Sequence, residues 1–182
     1  MLSLALTKEI SYSINGGEPS TVEQSSVQIP VTNEGETTIF YHATDNAGNT
    51  ATRDTISIKL DKSAPTVDSF APVGKGPTGT GWGRGTNVTA TFSEAMNQST
   101  LTAQTIKLVN TAMGRRVSNV ALSYNELTKT LTLDPPTLLA KKTKYKVTVT
   151  TGVKNLAGIP LDQNGSVSGN QPKSWTFITG NT

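Results

Sequence analysis

The sequence contains no cysteine, one histidine and few aromatic residues, which make up 5% of its 182 positions. Without cysteine it has no disulfide framework, thiolate metal site or cysteine nucleophile. The single histidine, His42, leaves little for zinc binding or for acid–base catalysis near neutral pH. No run of 18 apolar residues occurs, so no segment is expected to cross a membrane as a helix. We therefore predict a protein that is not an enzyme and that carries no cofactor, with calcium as the one open exception.

Threonine is abundant, with roughly thirty copies, and it favours strands and turns. Apolar and polar residues alternate in many short segments separated by Gly, Asn, Asp and Pro, which predicts an all-β fold. In the first half these segments are 10–14, 26–31, 37–43 and 50–60. In the second half they are 66–70, 87–92, 105–109, 117–124, 130–133, 145–150 and 174–179. One short helical turn is expected within 97–103, capped by Asn97 or Ser99.

The net charge of +3 conceals two halves of opposite sign. Residues 1–64 carry four basic and eight acidic side chains, and residues 65–182 carry twelve basic and five acidic ones. The change falls where an alternating strand pattern meets Ser63, Ala64 and Pro65, and proline donates no hydrogen bond to a sheet. We therefore predict one domain over 1–62, a short linker over 63–66 and a second domain over 67–182. Both are expected to be antiparallel β-sandwiches arranged in tandem.

A cluster of lysines in the basic half raises the question of nucleic-acid binding. The cluster consists of Lys141, Lys142, Lys144 and Lys146. Within 144–150 the lysines alternate with apolar residues, so they belong to the solvated face of a strand, where lysine also discourages edge-to-edge pairing. No aromatic side chains are interleaved as a stacking platform. We predict no nucleic-acid partner and no membrane insertion.

Several segments of the second half resemble the bacterial Ig-like domain of S-layer proteins, the SbsA Ig-like type. They are PTVDSFAP at 65–72, NVTATFSEAM at 87–96, SY at 123–124 with TKTLTL at 128–133, YKVTV at 145–149, NLAG at 155–158 and SWTF at 174–177. The longer glycine-rich stretch at 74–86 departs from the pattern. The resemblance implies an Ig-like module of an exported bacterial cell-surface or secreted protein.

The first half resembles another bacterial Ig-like repeat of surface proteins. The matching segments are ISYSINGG at 10–17 and YHATDNAGN at 41–49. About 60 residues hold four or five predicted strands, and 2–7 already has a strand pattern. We therefore expect this repeat to be truncated at its N-terminus.

Calcium is the best chemical option for a bound metal, because oxygen-only sites need neither cysteine nor histidine. The candidate ligands are Asp45, Asn49 and Asp61, gathered near the domain junction, with Asp68 or Asp162 as possible additions. The alternative is that these side chains cap turns, and Asp45 and Asn49 do flank a glycine-containing turn at 45–49.

Two further groups of residues suggest ligands or catalysis. Trp82 lies in the glycine-rich stretch, where an exposed indole is a candidate for sugar stacking, whereas Trp175 fits a core strand. A GxGxxG pattern at 74–79 lacks the following helix that a dinucleotide site requires. His42, Ser11 or Ser13, and Asp45 could be read as a catalytic triad, but no nucleophile-elbow motif exposes a serine. We interpret His42 as an ordinary strand residue.

The expected role is architectural: the two modules act as structural spacers of a bacterial surface or secreted protein. Tyr145 starts a strand six residues after Leu139, the pattern of a tyrosine corner in an Ig-like sandwich. Neighbouring domains of the same polypeptide are the expected partners, together with cell-wall material or glycan, and a monomer is expected. The alternative role is an adhesive or carbohydrate-binding accessory module of a surface protein or secreted hydrolase.

Overall fold

The computed structural model describes residues 7–76 and 79–181. The chain separates into two compact units, 1–62 and 63–182. Every pair of named strands is antiparallel, which confirms the all-β class. Of the segment 2–7, which has a strand pattern, 2–6 lies outside the described residues and Thr7 begins the first strand.

Four strands of the first unit form one sheet in the order β2-β1-β3-β4. Their bounds are β1 Thr7–Ile14, β2 Ser20–Val22, β3 Gly35–Asp45 and β4 Asp54–Leu60. The register places Ile14 opposite Ile39, and Ile39 opposite Ile56, so these three side chains share one face of the sheet. This face is apolar.

The predicted strand at 26–31 is not a strand in the structure. The side chains of Val27 and Ile29 instead line a groove of about 400 Å³ over the apolar face of the sheet. Alternation of apolar and polar residues indicates that an extended segment buries every second side chain. It does not show that the backbone forms hydrogen bonds with a neighbouring strand. Pro30 also has no N–H to donate. The pairing strand is β2, which the sequence pattern did not reveal.

The opposite face of the first sheet is covered in part by Arg53. Its guanidinium lies 4.6 Å from the centre of the Phe40 ring and donates a 3.0 Å hydrogen bond to Ser13 Oγ. Ser13 is buried as a result. At the edge of the sheet Tyr41 donates its hydroxyl to the Asp54 carboxylate directly opposite, and this hydrogen bond raises the pKa of Tyr41.

The second unit contains two four-stranded sheets, ordered β5-β6-β10-β9 and β12-β11-β7-β8. Their bounds are β5 Val67–Ala71, β6 Val88–Phe92, β7 Ile106–Asn110, β8 Arg115–Arg116, β9 Ala121–Asn125, β10 Thr130–Asp134, β11 Lys144–Val149 and β12 Lys173–Ile178. A 3₁₀ turn at Gln98–Thr100 is capped by Asn97, whose side chain accepts from the Ser99 N–H. The expected short helix is thus a single turn.

Alternate side chains from both sheets of the second unit meet in one core. Members from the first sheet include Val88, Phe92 and Leu131, and members from the second include Leu108 and Val147. Trp175 also belongs to this core, and its ring lies 4.8 Å from that of Phe70. The period-2 pattern of the sequence therefore sorts side chains into a buried layer and a hydroxyl-rich outer face.

Residues 63–66 do not form a linker in the structure. Pro65 is buried, and its carbonyl accepts a hydrogen bond from Asp162 N. Thr66 N donates to Ser93 Oγ, and Ser63 O accepts from the Asn155 side chain. The second unit therefore begins at Ser63, because tertiary hydrogen bonds that the local sequence does not show hold these residues.

Replacing Leu131 by alanine is expected to lower the free energy of unfolding by about 2–5 kcal/mol, because Leu131 is fully buried between the sheets. Leu127 in the adjoining turn is 95% exposed, so Leu127→Ala should change stability by less than about 0.5 kcal/mol. Urea unfolding followed by tryptophan fluorescence measures both. Equal losses for the two variants would contradict the assigned core.

Candidate functional site

The end of the second unit is closed by pairing between an early segment and the last strand. Gly74 N donates to Thr176 O at 3.0 Å, and Ile178 N donates to Gly74 O at 2.8 Å. Trp82 N donates to Ile178 O at 2.9 Å, and Gly180 N donates to Trp82 O at 2.8 Å. The pairings of Gly74 with Phe177 in β12 and of Trp82 with Thr179 just after it are both parallel. We call these four backbone bonds, between Gly74 or Trp82 and the 176–180 segment, the terminal clamp.

The GxGxxG pattern at 74–79 begins in the terminal clamp, where Gly74 makes two of the four backbone bonds. Gly74 pairs with Phe177 and Trp82 pairs with Thr179. Trp82 follows Gly74 by eight residues, whereas their two partners are only two residues apart. Between these two contacts, Gly81 N donates a 2.8 Å hydrogen bond to Lys75 O. The glycine-rich segment that departs from the resembled family thus lies between two contacts with the last strand. Among its described residues no helix begins at which a phosphate could bind.

Trp82, the candidate sugar-stacking residue, is half-buried and packs against the core. Its indole Nε1 donates a 2.9 Å hydrogen bond to Val73 O. A Cβ built on Gly76 would lie 3.2 Å from the indole ring, so the backbone of Gly76 approaches that ring closely. These contacts give Trp82 a packing role beside the terminal clamp.

Asp45 and Asn49, two of the candidate calcium ligands, close a tight turn after β3. One oxygen of the Asp45 carboxylate accepts the N–H groups of Ala47 and Asn49, and the other accepts the Asn49 side-chain amide at 2.9 Å. Gly48 adopts a φ of 87°, which suits glycine. The Asn49 side chain and backbone lower the pKa of Asp45. The carboxylate therefore acts as the acceptor that organises this turn.

The structure does not bring Asp61 together with Asp45 and Asn49. The register of β3 and β4 pairs Gly35 with Leu60, so Asp61 follows the end of β4 that lies beside Gly35 and far from Asp45. Ten residues of strand separate these ends, a distance of about 30 Å. Among the described residues no group of three or more histidine or acidic side chains is gathered as a metal site.

The two additional calcium candidates lie in the second unit and accept hydrogen bonds from their own loops. Asp68 accepts from Thr66 Oγ1 at 2.8 Å. Asp162 accepts the N–H groups of Asn164 and Gln171 at about 3 Å. These contacts correspond to the turn-capping alternative for both aspartates.

The candidate triad does not form a catalytic arrangement. His42 pairs with Ser11 across β1 and β3, but Ser11 Oγ is 2.6 Å from Thr21 Oγ1. Ser13 is buried and accepts from Arg53, and the Asp45 carboxylate belongs to its turn. The two serine hydroxyls and the Asp45 carboxylate therefore each have a structural partner of their own.

Asn155 is a central polar residue to which the sequence alone assigns no role. It is fully buried, and its side-chain oxygen accepts from Ile159 N at 2.8 Å. Its amide group donates to Glu94 Oε2 at 2.9 Å and to Ser63 O at 3.3 Å. Asn155 thereby joins three separate loops at the end of the second unit that contains Ser63. Its hydrogen bonds satisfy the polar atoms of the side chain, as is usual for buried amides.

The lysines Lys144 and Lys146 point to solvent from β11, as the alternation predicts. The suggestion that they protect a sheet edge is wrong, because β11 lies between β12 and β7. Strand order depends on long-range pairing, which the alternation does not encode.

The family model of the bacterial Ig-like domain Big_5 matches residues 61–179, which is more than half of the chain. The chain belongs to the bacterial Ig-like domain family. No curated protein matches the sequence. A solved structure that the fold is similar to is the N-terminal part of the bacterial S-layer protein SbsC, with 16% identity and a TM-score of 0.46. The comparison covers 65% of this chain and 24% of that one, so the chain spans about a quarter of the length of that structure.

The tyrosine corner of this bacterial Ig-like domain is present as predicted. The Tyr145 hydroxyl accepts a 2.9 Å hydrogen bond from Ala140 N, five residues upstream. The Tyr145 ring is buried and stacks on Phe177 at 5.6 Å. Nearby, Thr179 Oγ1 donates to Ala140 O and accepts from Thr143 N. The corner therefore fixes the loop before β11 against the chain that leaves β12.

Tyr145→Phe is expected to lower the free energy of unfolding by about 1–3 kcal/mol, because the Ala140 N–H loses its acceptor while the ring packing is kept. Thermal melting of the full chain measures this loss. Tyr12→Phe in the first unit is the matched control, because it also removes a phenolic hydroxyl and should change stability by less than about 0.5 kcal/mol. An unchanged melt for Tyr145→Phe would contradict the corner.

The pKa of Asp45 is expected to lie below its ordinary value in the folded chain and to move back toward that value in Asn49→Ala. Because the folded pKa is depressed, the turn gains stability above the ordinary pKa and loses it as the pH falls through the folded pKa. Carboxyl-carbon NMR during an acid titration measures the shift. Asn46→Ala in the same turn is the control, and an equal change in both variants would contradict the assigned hydrogen bonds.

Proposed function

We propose that this chain serves as a spacer that withstands tension in an extracellular bacterial protein, holding other domains of the same polypeptide at a distance. The observation that carries the proposal is the terminal clamp. It joins a segment near the start of the second unit to its last strand, and the two run parallel. Membership of the bacterial Ig-like family agrees with a surface or secreted setting.

The direction of the pairing decides how the terminal clamp responds to force. Tension on the two ends of the unit pulls the Gly74–Trp82 side toward the N-terminus and β12 toward the C-terminus. Since these neighbours are parallel, the pull runs along both strands and loads the four hydrogen bonds together in shear. An antiparallel pair pulled from one end would lose its bonds one at a time. The clamp therefore shields the core from tension at low force.

The mechanism that follows is mechanical, and it has no catalytic step. The Asp45 carboxylate and the Trp82 indole N–H, which sequence patterns suggest for chemistry, have hydrogen-bond partners within the fold. Among the described residues no helix is long and apolar enough to cross a bilayer. The parent polypeptide would supply any anchor or activity, with these modules as spacers between its parts.

An adhesive role through Trp82 is the alternative from a different class. The part of the Trp82 indole that packs on Gly76, Val73 O and the core could meet a sugar only if the ring left these contacts. Such a movement would disturb the neighbouring backbone bonds of the terminal clamp. The contacts of Trp82 therefore support the spacer over the carbohydrate-binding module.

Gly81→Ala should weaken the terminal clamp. Gly81 has a φ of +105°, and a Cβ there would lie 2.5 Å from Gly180 N. We expect a loss of roughly 2–4 kcal/mol in stability and a lower rupture force for the second unit. Single-molecule stretching of the full chain between handles at its two ends measures the force.

The matched control is Gly165→Ala, where an added Cβ meets its nearest atom at 3.9 Å and the rupture force should stay at the wild-type value. If Gly81→Ala does not fold, Gly180→Ala gives a milder version, with a Cβ 3.3 Å from Thr80 O. A rupture force that is the same in wild type and in the folded clamp variant would contradict the spacer mechanism.

A further inference from the structure

The outer edge of β4 in the first unit has the properties of a strand-docking site. Over the part of the chain that the structure describes, β4 pairs with β3 on one side and has no named strand on the other. It is seven residues long, contains no proline or bulge, and is exposed on both faces up to Lys59. Native edge strands are usually short or blocked, and the opposite edge strand β2 has three residues.

The side chains along β4 add an apolar component to this edge. Ile56 is 47% exposed and Ile58 is 38% exposed. Both lie on the same face of the sheet as Ile39, which is buried. Burial of the β4 edge would therefore pair backbone groups and also cover part of an apolar stripe.

The sequence of β4 is nearly symmetric about Ser57. The order is Asp-Thr-Ile-Ser-Ile-Lys-Leu, with an isoleucine on each side of the central serine. When two antiparallel copies are centred on Ser57, all seven residues find a partner, and Ile56 of each copy faces Ile58 of the other. Lys59 faces Thr55, so no like charges stand directly opposite.

This centred register also keeps the faces of the two sheets consistent. Residues directly opposite in an antiparallel pair share a face, so both Ile56–Ile58 pairs extend the apolar face that contains Ile39. A shift by one residue would place isoleucine against residues of the polar face. A shift by two residues would leave part of the seven-residue strand without a partner.

We propose that a second copy of this chain docks on β4, forming an antiparallel β4–β4 pair centred on Ser57 and a continuous eight-stranded sheet. The two-fold axis passes through the centre of the pair, so both copies use the same surface. This inference replaces the monomer expected from the sequence and goes beyond the spacer role. One strand per copy is a small interface, so the dimer is weak, with a Kd above about 1 µM.

Sedimentation equilibrium of the full chain from about 10 µM to 1 mM tests the association. The wild-type chain should shift from monomer to dimer as the concentration rises. Ser57→Lys places two ammonium groups opposite each other and should abolish the dimer, and Ser57→Asp should do the same with two carboxylates. An equimolar mixture of the two variants should regain the dimer, because each lysine then faces an aspartate.

Thr21→Lys is the matched control, since it places a lysine on the short edge strand β2 and should leave the association unchanged. Circular dichroism establishes that each variant is folded. A wild-type chain that stays monomeric at 1 mM overturns the proposal. A dimer that persists in Ser57→Lys, or folded charge variants whose mixture stays monomeric, overturns it as well.

Discussion

The packing of two sheets against one apolar core is the constraint on which the second unit depends, because the chain has no cysteine to cross-link it. Side chains such as Leu131 and Val147 enter this core from opposite sheets. Their packing holds the two sheets together without a covalent cross-link. The tyrosine corner at Tyr145 and the Asn155 network then fix the loops at its two ends. These polar contacts stabilise the loops because the surrounding core excludes water that would compete for the same hydrogen-bonding groups.

The same constraint explains why the end of the second unit needs the terminal clamp. The last strand, β12, would otherwise leave an unpaired sheet edge beside buried Phe177. Gly74 and Trp82 form hydrogen bonds with that edge, and the glycine-rich segment lies between them in the sequence. This segment therefore leaves the pairing intact, because its residues lie between the two contact points and change neither of them. In the proposed spacer role, the hydrogen bonds that close the sandwich would also carry the tension.

The first unit buries its apolar side chains in a different way from the second. Its four described strands form one sheet, with a groove-lining segment over part of the apolar face and Arg53 over part of the other. A strong period-2 signal at 26–31 belongs to that groove-lining segment, whereas the weaker segment at Ser20–Val22 pairs with β1. Alternation reports which side chains are buried, and backbone pairing depends on what lies beside the strand. For this reason the predicted strands agree more closely with the second unit than with the first. Even there the pattern does not reveal β8, and the segment predicted at 117–124 is a strand only from Ala121 onward.

The sequence by itself determined the all-β class, the change between units near residue 62, the tyrosine corner and the turn at 45–49, because each depends on local pattern or on residues close in the chain. Tertiary structure alone decided which distant residues meet. It separated Asp61 from Asp45 through the register of β3 and β4, and it assigned Trp82 to packing beside the terminal clamp. Register and strand order arise from the simultaneous burial of many side chains, and no short segment contains that information.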